Sequence, residues 1–345
     1  MININSLVRQ NIRELSPYSS ARNEFTGTAE IFLDANENPF SSAYNRYPDS
    51  YHTKLRELIA EQKSISSENI VLGNGSDELI DLLIRIFCEP GKDNIITLPP
   101  TYGMYGVCAK INNVGIKEIL LTEEFQPDAN QIISAQNQYS KILFLCSPNN
   151  PTANISDKNI IIEILDKFSG IVVIDEAYID FAIAESTTSF INKYPNLVVL
   201  QTFSKAKGLA GIRLGIAFAS TEIINLINKV KPPYNVNSAT QKIAIDSINN
   251  SRKTELEIKT IINEREKLIK ELSGLECVQK VYDSDANFIL IKVLDAKRTY
   301  EYLVKNQIIV RDRSKMPLCN NCLRITVGNS VENKELINAL KNLKS

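Results

Sequence analysis

The stretch NLVVLQTFSKAKGLAGIRLG, residues 196–215, decides how the chain folds. Its first half is an apolar run with no polar alternation. Such a run reads as a strand covered on both faces, and so as part of a parallel or mostly parallel sheet. Its second half is a glycine-containing turn that carries Ser204, Lys205 and Arg213. Four more runs have the same form: ENIVLGNG (68–75), DNIITLPP (93–100), KILFLCSPNNP (141–151) and GIVVIDEAY (170–178). LGIAFAS (214–220) follows directly. Amphipathic helical patterns lie between them; SDELIDLLIRIF (76–87) is one, with Ser76 as its expected cap. Strand–helix alternation predicts an α/β fold.

Ligands of such sheets gather at the carboxyl ends of the strands, so the polar residues just after each run are the candidates. Gly75, Ser76 and Asp77 open a helix, where free backbone N–H groups suit a phosphate. The sequence there is neither a P-loop nor a dinucleotide fingerprint. Tyr102 follows the next run and is either core or a stacking ring. Asn150 sits in a turn of ordinary turn formers. Asp175 ends GIVVID, where a carboxylate is costly unless it meets a cation or several donors; Tyr178 lies three residues on. Lys205 at a desolvated strand end has a lowered pKa and can attack an aldehyde. Ser204 and Arg213 suit a phosphate. Taken singly, each residue is more often structural. Together they describe the needs of pyridoxal phosphate: an amine for its aldehyde, donors for its phosphate, a ring to stack on it and an acid for its nitrogen. Lys205 would hold it as a Schiff base, and Asp175 would keep its pyridine nitrogen protonated.

Composition removes other classes. The chain has 345 residues, 43% hydrophobic and 23% charged, which are globular values. That is roughly two domains' worth at about 150 residues each. Net charge is −1, from 39 basic and 40 acidic residues without a basic block, so neither nucleic acid nor an anionic membrane is an expected partner. No stretch is long and apolar enough to span a bilayer, and the N-terminus lacks a signal-peptide core. The expected location is the cytoplasm, with the six cysteines mostly as thiols. Cys319 and Cys322 form a C-x-x-C, but zinc needs two further ligands, so no metal is expected. The sole histidine, His52, argues against a Ser–His–Asp or Cys–His engine.

From about 237 to 273 the pattern is one long helix. VQKVYD, NFILIKV, QIIVRDR and LRITVG then predict a smaller α+β C-terminal domain. The expected division is an arm over 1–40, packed on the small domain or a partner subunit, a large domain with its interdomain helix over 41–273, and a small domain over 274–345.

The motifs ELSPYSSAR, LDANENP, NRYPD, GNGSDELIDLLIRIFCEPG, PPTYGMY, CSPNNPT, VVIDEAYIDF, TFSKAKGLAGIRLG and CLRITVG span nearly the whole chain. In combination they resemble the fold-type I pyridoxal-phosphate aminotransferases, and among them the branch that works on histidinol phosphate. The resemblance implies transamination between L-histidinol phosphate and 2-oxoglutarate, giving imidazole acetol phosphate and L-glutamate, in a homodimer. It implies that Lys205 binds the cofactor and moves the proton, that Asp175 pairs with the ring nitrogen, and that Tyr178 and Asn150 bond the ring hydroxyl. Tyr102 would stack on the ring, and Ser76, Asp77, Ser204 and Arg213 would surround the phosphate. Tyr47 would reach the phosphate of the neighbouring subunit. Arg324 would grip an anionic end of the substrate, helped by Tyr18, Tyr234 and Arg311. One departure is Ala153, where the family usually has glycine. Rival readings are an aromatic or broad-specificity aminotransferase, a threonine-phosphate decarboxylase, or a domain that senses the cofactor without turnover.

Overall fold

The computed structural model describes residues 2–18 and 29–343. Among these, the six apolar runs and one edge strand form a seven-stranded sheet of β1 (Ile70–Asn74), β2 (Asn94–Thr97), β3 (Gly115–Glu118), β4 (Ser140–Cys146), β5 (Ile171–Asp175), β6 (Leu197–Thr202) and β7 (Leu214–Ala219). Their order is β1-β7-β6-β5-β4-β2-β3. Pairing is parallel from β6 through β5, β4 and β2 to β3, while β7 runs antiparallel to both of its neighbours. This is the mostly parallel α/β architecture that the resemblance implied.

The unbroken apolar character of these strands has a direct cause. Successive side chains point to opposite faces, and both faces are covered. Leu143, Leu145, Val172 and Ile174 join one core cluster, and Ile142, Phe144, Ile171 and Val173 join the other. The helix Ser76–Phe87 buries seven of its twelve residues against the second face. Each such Leu, Ile or Phe contributes about 1.5–3 kcal/mol of burial.

A second sheet is antiparallel, in the order β10-β11-β9-β8, from β8 (Val278–Val281), β9 (Phe288–Val293), β10 (Arg311–Asp312) and β11 (Cys322–Thr326). Its own core includes Ile289, Ile291, Leu323 and Ile325, packed with Leu268 and Leu272. Two contacts fix this layer against the large sheet. Buried Arg265 donates to the carbonyls of Phe181 and Ala286 at 3.2 and 3.0 Å. Asp285 donates its amide to the Ala153 carbonyl at 2.8 Å, and its carboxylate accepts from the Ile155 amide at 2.9 Å. Ala153 has a left-handed backbone, φ +69°. Strain of about 1 kcal/mol there is set against the burial of its methyl with Tyr178 and Phe288, about 0.8 kcal/mol. The two nearly cancel, which explains how alanine stands where the family usually has glycine.

Several elements differ from the sequence reading. The pattern over 237–273 is two helices, Ser238–Asn249 and Ser251–Leu272, because Asn250 leaves helical geometry at φ −112°, ψ 33°. Strand β3 was not anticipated; its residues are half-exposed or exposed at the sheet edge and carry no apolar run. Gly75, not Ser76, occupies the cap position of the helix Ser76–Phe87. The arm also departs from expectation over its first residues: Ile4, Val8 and Ile12 join the large-sheet core that holds Phe87 and Ile223. Among the described residues, no helix is long and apolar enough to cross a membrane.

Candidate active site

Strands β4, β5 and β6 end side by side, with Cys146 paired to Asp175 and Asp175 to Leu200. Above them lies a cavity of about 770 Å³, walled by the large sheet on one side and by Arg311, Arg313, Met316 and Arg324 of the small layer on the other. Ser76, Asp77, Tyr102, Asn150, Asp175, Tyr178, Ser204, Lys205 and Arg213 all line it. The resemblance had placed these residues around one group, and the fold brings them to one wall.

Strand alternation explains which carboxylate faces the cavity. Asp175 and Glu176 are consecutive and both buried. Glu176 turns away from the cavity and accepts from the Ser186 hydroxyl, the Thr187 amide and hydroxyl, and the Gln201 amide. Asp175 faces the cavity with two partners: the Tyr105 hydroxyl donates to Oδ2 at 2.7 Å and the Ala177 amide to Oδ1 at 3.1 Å. Burial pushes the Asp175 carboxyl up to about 6, opposed mainly by the Tyr105 bond. Lys205 lies 5.5 Å above the centre of the Tyr178 ring. Much of its surface faces the open cavity, yet the surrounding walls desolvate its ammonium, and this, with Arg324 nearby, lowers its pKa. A proton therefore leaves this lysine more readily than a solvated one.

At the other end of the cavity, the turn after β1 meets β7. A Cβ on Gly215 would fall 2.3 Å from the Ser76 nitrogen, so only glycine lets β7 pass this turn. Gly75 has φ +77°, and a Cβ there would strike the Arg213 guanidinium at 2.6 Å. These two glycines let Arg213 reach over the helix start, where it stands 3.5 Å from Asp77. The Tyr102 hydroxyl donates to the other Asp77 oxygen at 3.1 Å. The first N–H groups of a helix have no intrahelical partner, and here they share the cavity wall with Ser204 and Arg213, a donor set suited to a phosphate.

Arg324 projects from β11. It donates to Asn150 Oδ1 at 2.6 Å and lies 5.2 Å over the Phe288 ring. Asn150 in turn donates to the Tyr178 hydroxyl at 3.5 Å. The register pairs Arg311 with Arg324 across the two strands, and Arg313 adds a third guanidinium to the wall. Like charges side by side are unfavourable, and burial with its two neighbours lowers the pKa of Arg313. Three guanidiniums on one wall of the cavity mark it for anions.

Four named residues, Gly75, Tyr18, Tyr47 and Tyr234, do not line this cavity. Tyr18 is 73% exposed near the end of the first described segment. Ser19–Arg22 of the same motif lie outside the described residues. Tyr234, expected as a substrate contact, instead stacks on Tyr47, with centroids 4.5 Å apart and planes 15° from parallel. Tyr47 itself is 53% exposed. His52 is buried before the helix Thr53–Lys63, and burial holds its pKa down to about 3. Cys319 and Cys322 are buried free thiols; among the described residues no three His, Cys, Asp or Glu side chains gather as a metal site. The sequence reading missed Tyr105 and Arg313. Tyr105 lies three residues beyond Tyr102 at a helix start, and Arg313 two beyond Arg311, so helical and strand spacing were the available signals.

Residues 23–340 match the family model described as aminotransferase class I and II. The chain is 51% identical to the histidinol-phosphate aminotransferase of Flavobacterium psychrophilum over 343 residues, covering 99% of each chain. It is 53% identical to the enzyme of that name from Flavobacterium johnsoniae over 341 residues, covering 98% of each. Among solved structures it resembles the histidinol-phosphate aminotransferase of Clostridium acetobutylicum, with a TM-score of 0.80, 26% identity, and 86% of this chain and 90% of that one covered.

Proposed function

From the premise that the chain belongs to the aminotransferase class I and II family, we propose that it moves an amino group between L-histidinol phosphate and 2-oxoglutarate, with pyridoxal phosphate as cofactor. The observation that carries this is the pairing of near-complete coverage at about half identity with a cavity that sets Lys205 and Asp175 opposite Arg324. The reaction belongs to histidine biosynthesis. The buried free thiols suit a reducing compartment, the cytoplasm.

The residues present fit the cofactor. Asp175 is a buried carboxylate facing the cavity, and a cation beside it offsets the cost of burying its charge. Pyridoxal phosphate, when bound, supplies an aldehyde that captures the amino group and a ring that accepts the electrons of the substrate carbon. Asp175 would keep the ring nitrogen protonated, Tyr178 and Asn150 would hold the ring hydroxyl, and Tyr102 would cover the ring. Ser76, Asp77, Ser204 and Arg213, with the turn at Gly75, would form the phosphate end. Lys205 would hold the cofactor, and its amine, whose pKa is lowered by burial and by Arg324, would be placed to hold or release the proton at the substrate carbon. Arg324 faces the anionic end of either substrate, its direction set by Asn150. With threonine phosphate and phenylalanine as competitors, kcat/KM for histidinol phosphate is expected to lead by at least about 100-fold, the scale set by a polar site left unmatched by the wrong substrate. Equal turnover of phenylalanine, or release of carbon dioxide from threonine phosphate, would overturn the substrate assignment.

The working unit is a homodimer with shared sites. Tyr47 is half-exposed and held rigid by its stack on Tyr234. Ile31, Leu33, Phe40 and Tyr44 on the same segment are 66% to 89% exposed, an apolar surface of the kind that marks an interface. Tyr47 then serves the partner's cofactor phosphate. A mixed dimer of one Tyr47→Phe chain and one Lys205→Ala chain contains one complete site. It is expected to recover about half the wild-type activity, well above the Tyr47→Phe homodimer. A fully active monomer in sedimentation would refute the sharing.

A further inference from the structure

Among the described residues, the only side-chain donor to Asp175 is Tyr105, which the catalytic scheme above does not use. Its position is closely determined. The ring is fully buried, stacked on Phe144 of β4 at 4.7 Å with planes 9° apart, and its edge meets Tyr102 at 5.6 Å and 83°. Phe144 and Asp175 both lie near the ends of adjacent strands, so the stack and the 2.7 Å hydrogen bond hold one side chain at two points. Tyr105 is the second residue of the helix Met104–Ile111, and Tyr102 stands two residues before that helix, in edge contact with Tyr105.

From this geometry we infer that Tyr105 is a positioning residue for the reaction: its hydroxyl keeps Asp175 charged and oriented toward the pyridine nitrogen, while its ring edge braces Tyr102. The inference rests on pyridoxal phosphate being the cofactor. A carboxylate that accepts a hydrogen bond is a weaker base. With the Tyr105 bond in place, a proton shared between Asp175 and the ring nitrogen stays on nitrogen, and the ring keeps its pull on electrons. Without the bond, the carboxylate draws that proton toward itself. The other groups facing Asp175 do not replace this donor. Asp77 is negative and raises the Asp175 pKa, while Lys205 lowers it only through space. Burial keeps the thiol of Cys146 and the phenols of Tyr102 and Tyr178 protonated and neutral. Tyr105 itself is held protonated, its pKa well above the usual phenol value through burial and the Asp175 charge, so it remains a donor at every working pH.

The test is Tyr105→Phe, which retains the ring and removes the hydroxyl. In the cofactor-free chain, the Asp175 carboxyl is followed by ¹³C NMR and is expected to titrate about one pH unit higher than in wild type, the scale of losing one hydrogen bond to a carboxylate. With ring-¹⁵N pyridoxal phosphate bound, the nitrogen resonance is expected to move toward the unprotonated position, and single-turnover amino transfer to slow roughly 10-fold, the rate equivalent of about one pH unit. Placing 3-fluorotyrosine at position 105 strengthens the donor without removing the contact. It is expected to move the nitrogen resonance the opposite way, and this arm stands even where Tyr105→Phe fails to fold. A structural role alone would shift melting and cofactor affinity and leave the ring nitrogen where it was. An unmoved nitrogen resonance in both variants overturns the inference. Failure of the wild-type chain to bind pyridoxal phosphate overturns the cofactor reading instead.

Discussion

Lys205→Ala is expected to lower turnover of histidinol phosphate by about 10⁴-fold or more, since in the proposed scheme it removes both the covalent anchor and the proton carrier. The lysine lies in the turn after β6, and Ser204 beside it is fixed by Thr202, whose hydroxyl accepts from the Ser204 amide at 3.1 Å and donates to its hydroxyl at 3.0 Å. Burial and the Arg324 charge both disfavour its protonated form, so the neutral amine is more available than in a solvated lysine. Lys207, two residues on, does not line the cavity and is the internal control. Borohydride reduction of the cofactor-bound protein is expected to fix pyridoxal phosphate to residue 205 in wild type and to leave Lys205→Ala unlabelled. Peptide mapping that finds the label on Lys207, or an equal label in the variant, would remove Lys205 from its role. Lys205→Arg preserves charge without a nucleophilic amine and is expected to be as inactive as the alanine variant.

The parts of this site that local sequence could reveal share one physical origin. Residues after an apolar run stand at the end of a covered strand, and the fold delivers such ends to one place. Asp175, Asn150, Ser204 and Lys205 were therefore legible without tertiary information. Arg324 was less so. It sits within a strand of the second sheet, 174 positions from the asparagine it contacts, and only its motif pointed to it. Tyr105 was hidden because a buried tyrosine at helical spacing looks like core, and most of its surface is core; its function rests on one oxygen. The break at Asn250 was hidden for another reason. Both flanking segments carry strong helical patterns, and the interruption is a single residue without glycine or proline. The Tyr47–Tyr234 stack joins segments far apart in sequence and was beyond any periodicity argument.

Arg324→Lys is expected to cost about 2–3 kcal/mol of transition-state stabilisation in both half-reactions, the scale of a charged hydrogen bond, or roughly 30- to 150-fold in rate. The reaction alternates between two partners that share one cavity. Glutamate brings a carboxylate beside the reacting carbon, while histidinol phosphate brings a phosphate ester and no carboxylate. A guanidinium serves both because its planar fork can face two oxygens of either anion. Arg324 meets the structural conditions for that work. One of its terminal nitrogens is held by Asn150 and its plane lies over Phe288, so its orientation is set before an anion arrives. Lysine preserves the positive charge and loses the fork, the Asn150 alignment and the ring contact. It thereby separates charge from geometry. Arg311 is its cross-strand neighbour, and Arg311 and Arg313 both line the wall, so general attraction of anions persists in the variant and the loss is one of positioning. Single-turnover amino transfer, measured with glutamate and with histidinol phosphate separately, is the check. Similar losses with both substrates are expected. Loss of one half-reaction with the other at the wild-type rate would show that Arg324 is not the shared anchor, and would assign the unaffected anion to Arg311 or Arg313.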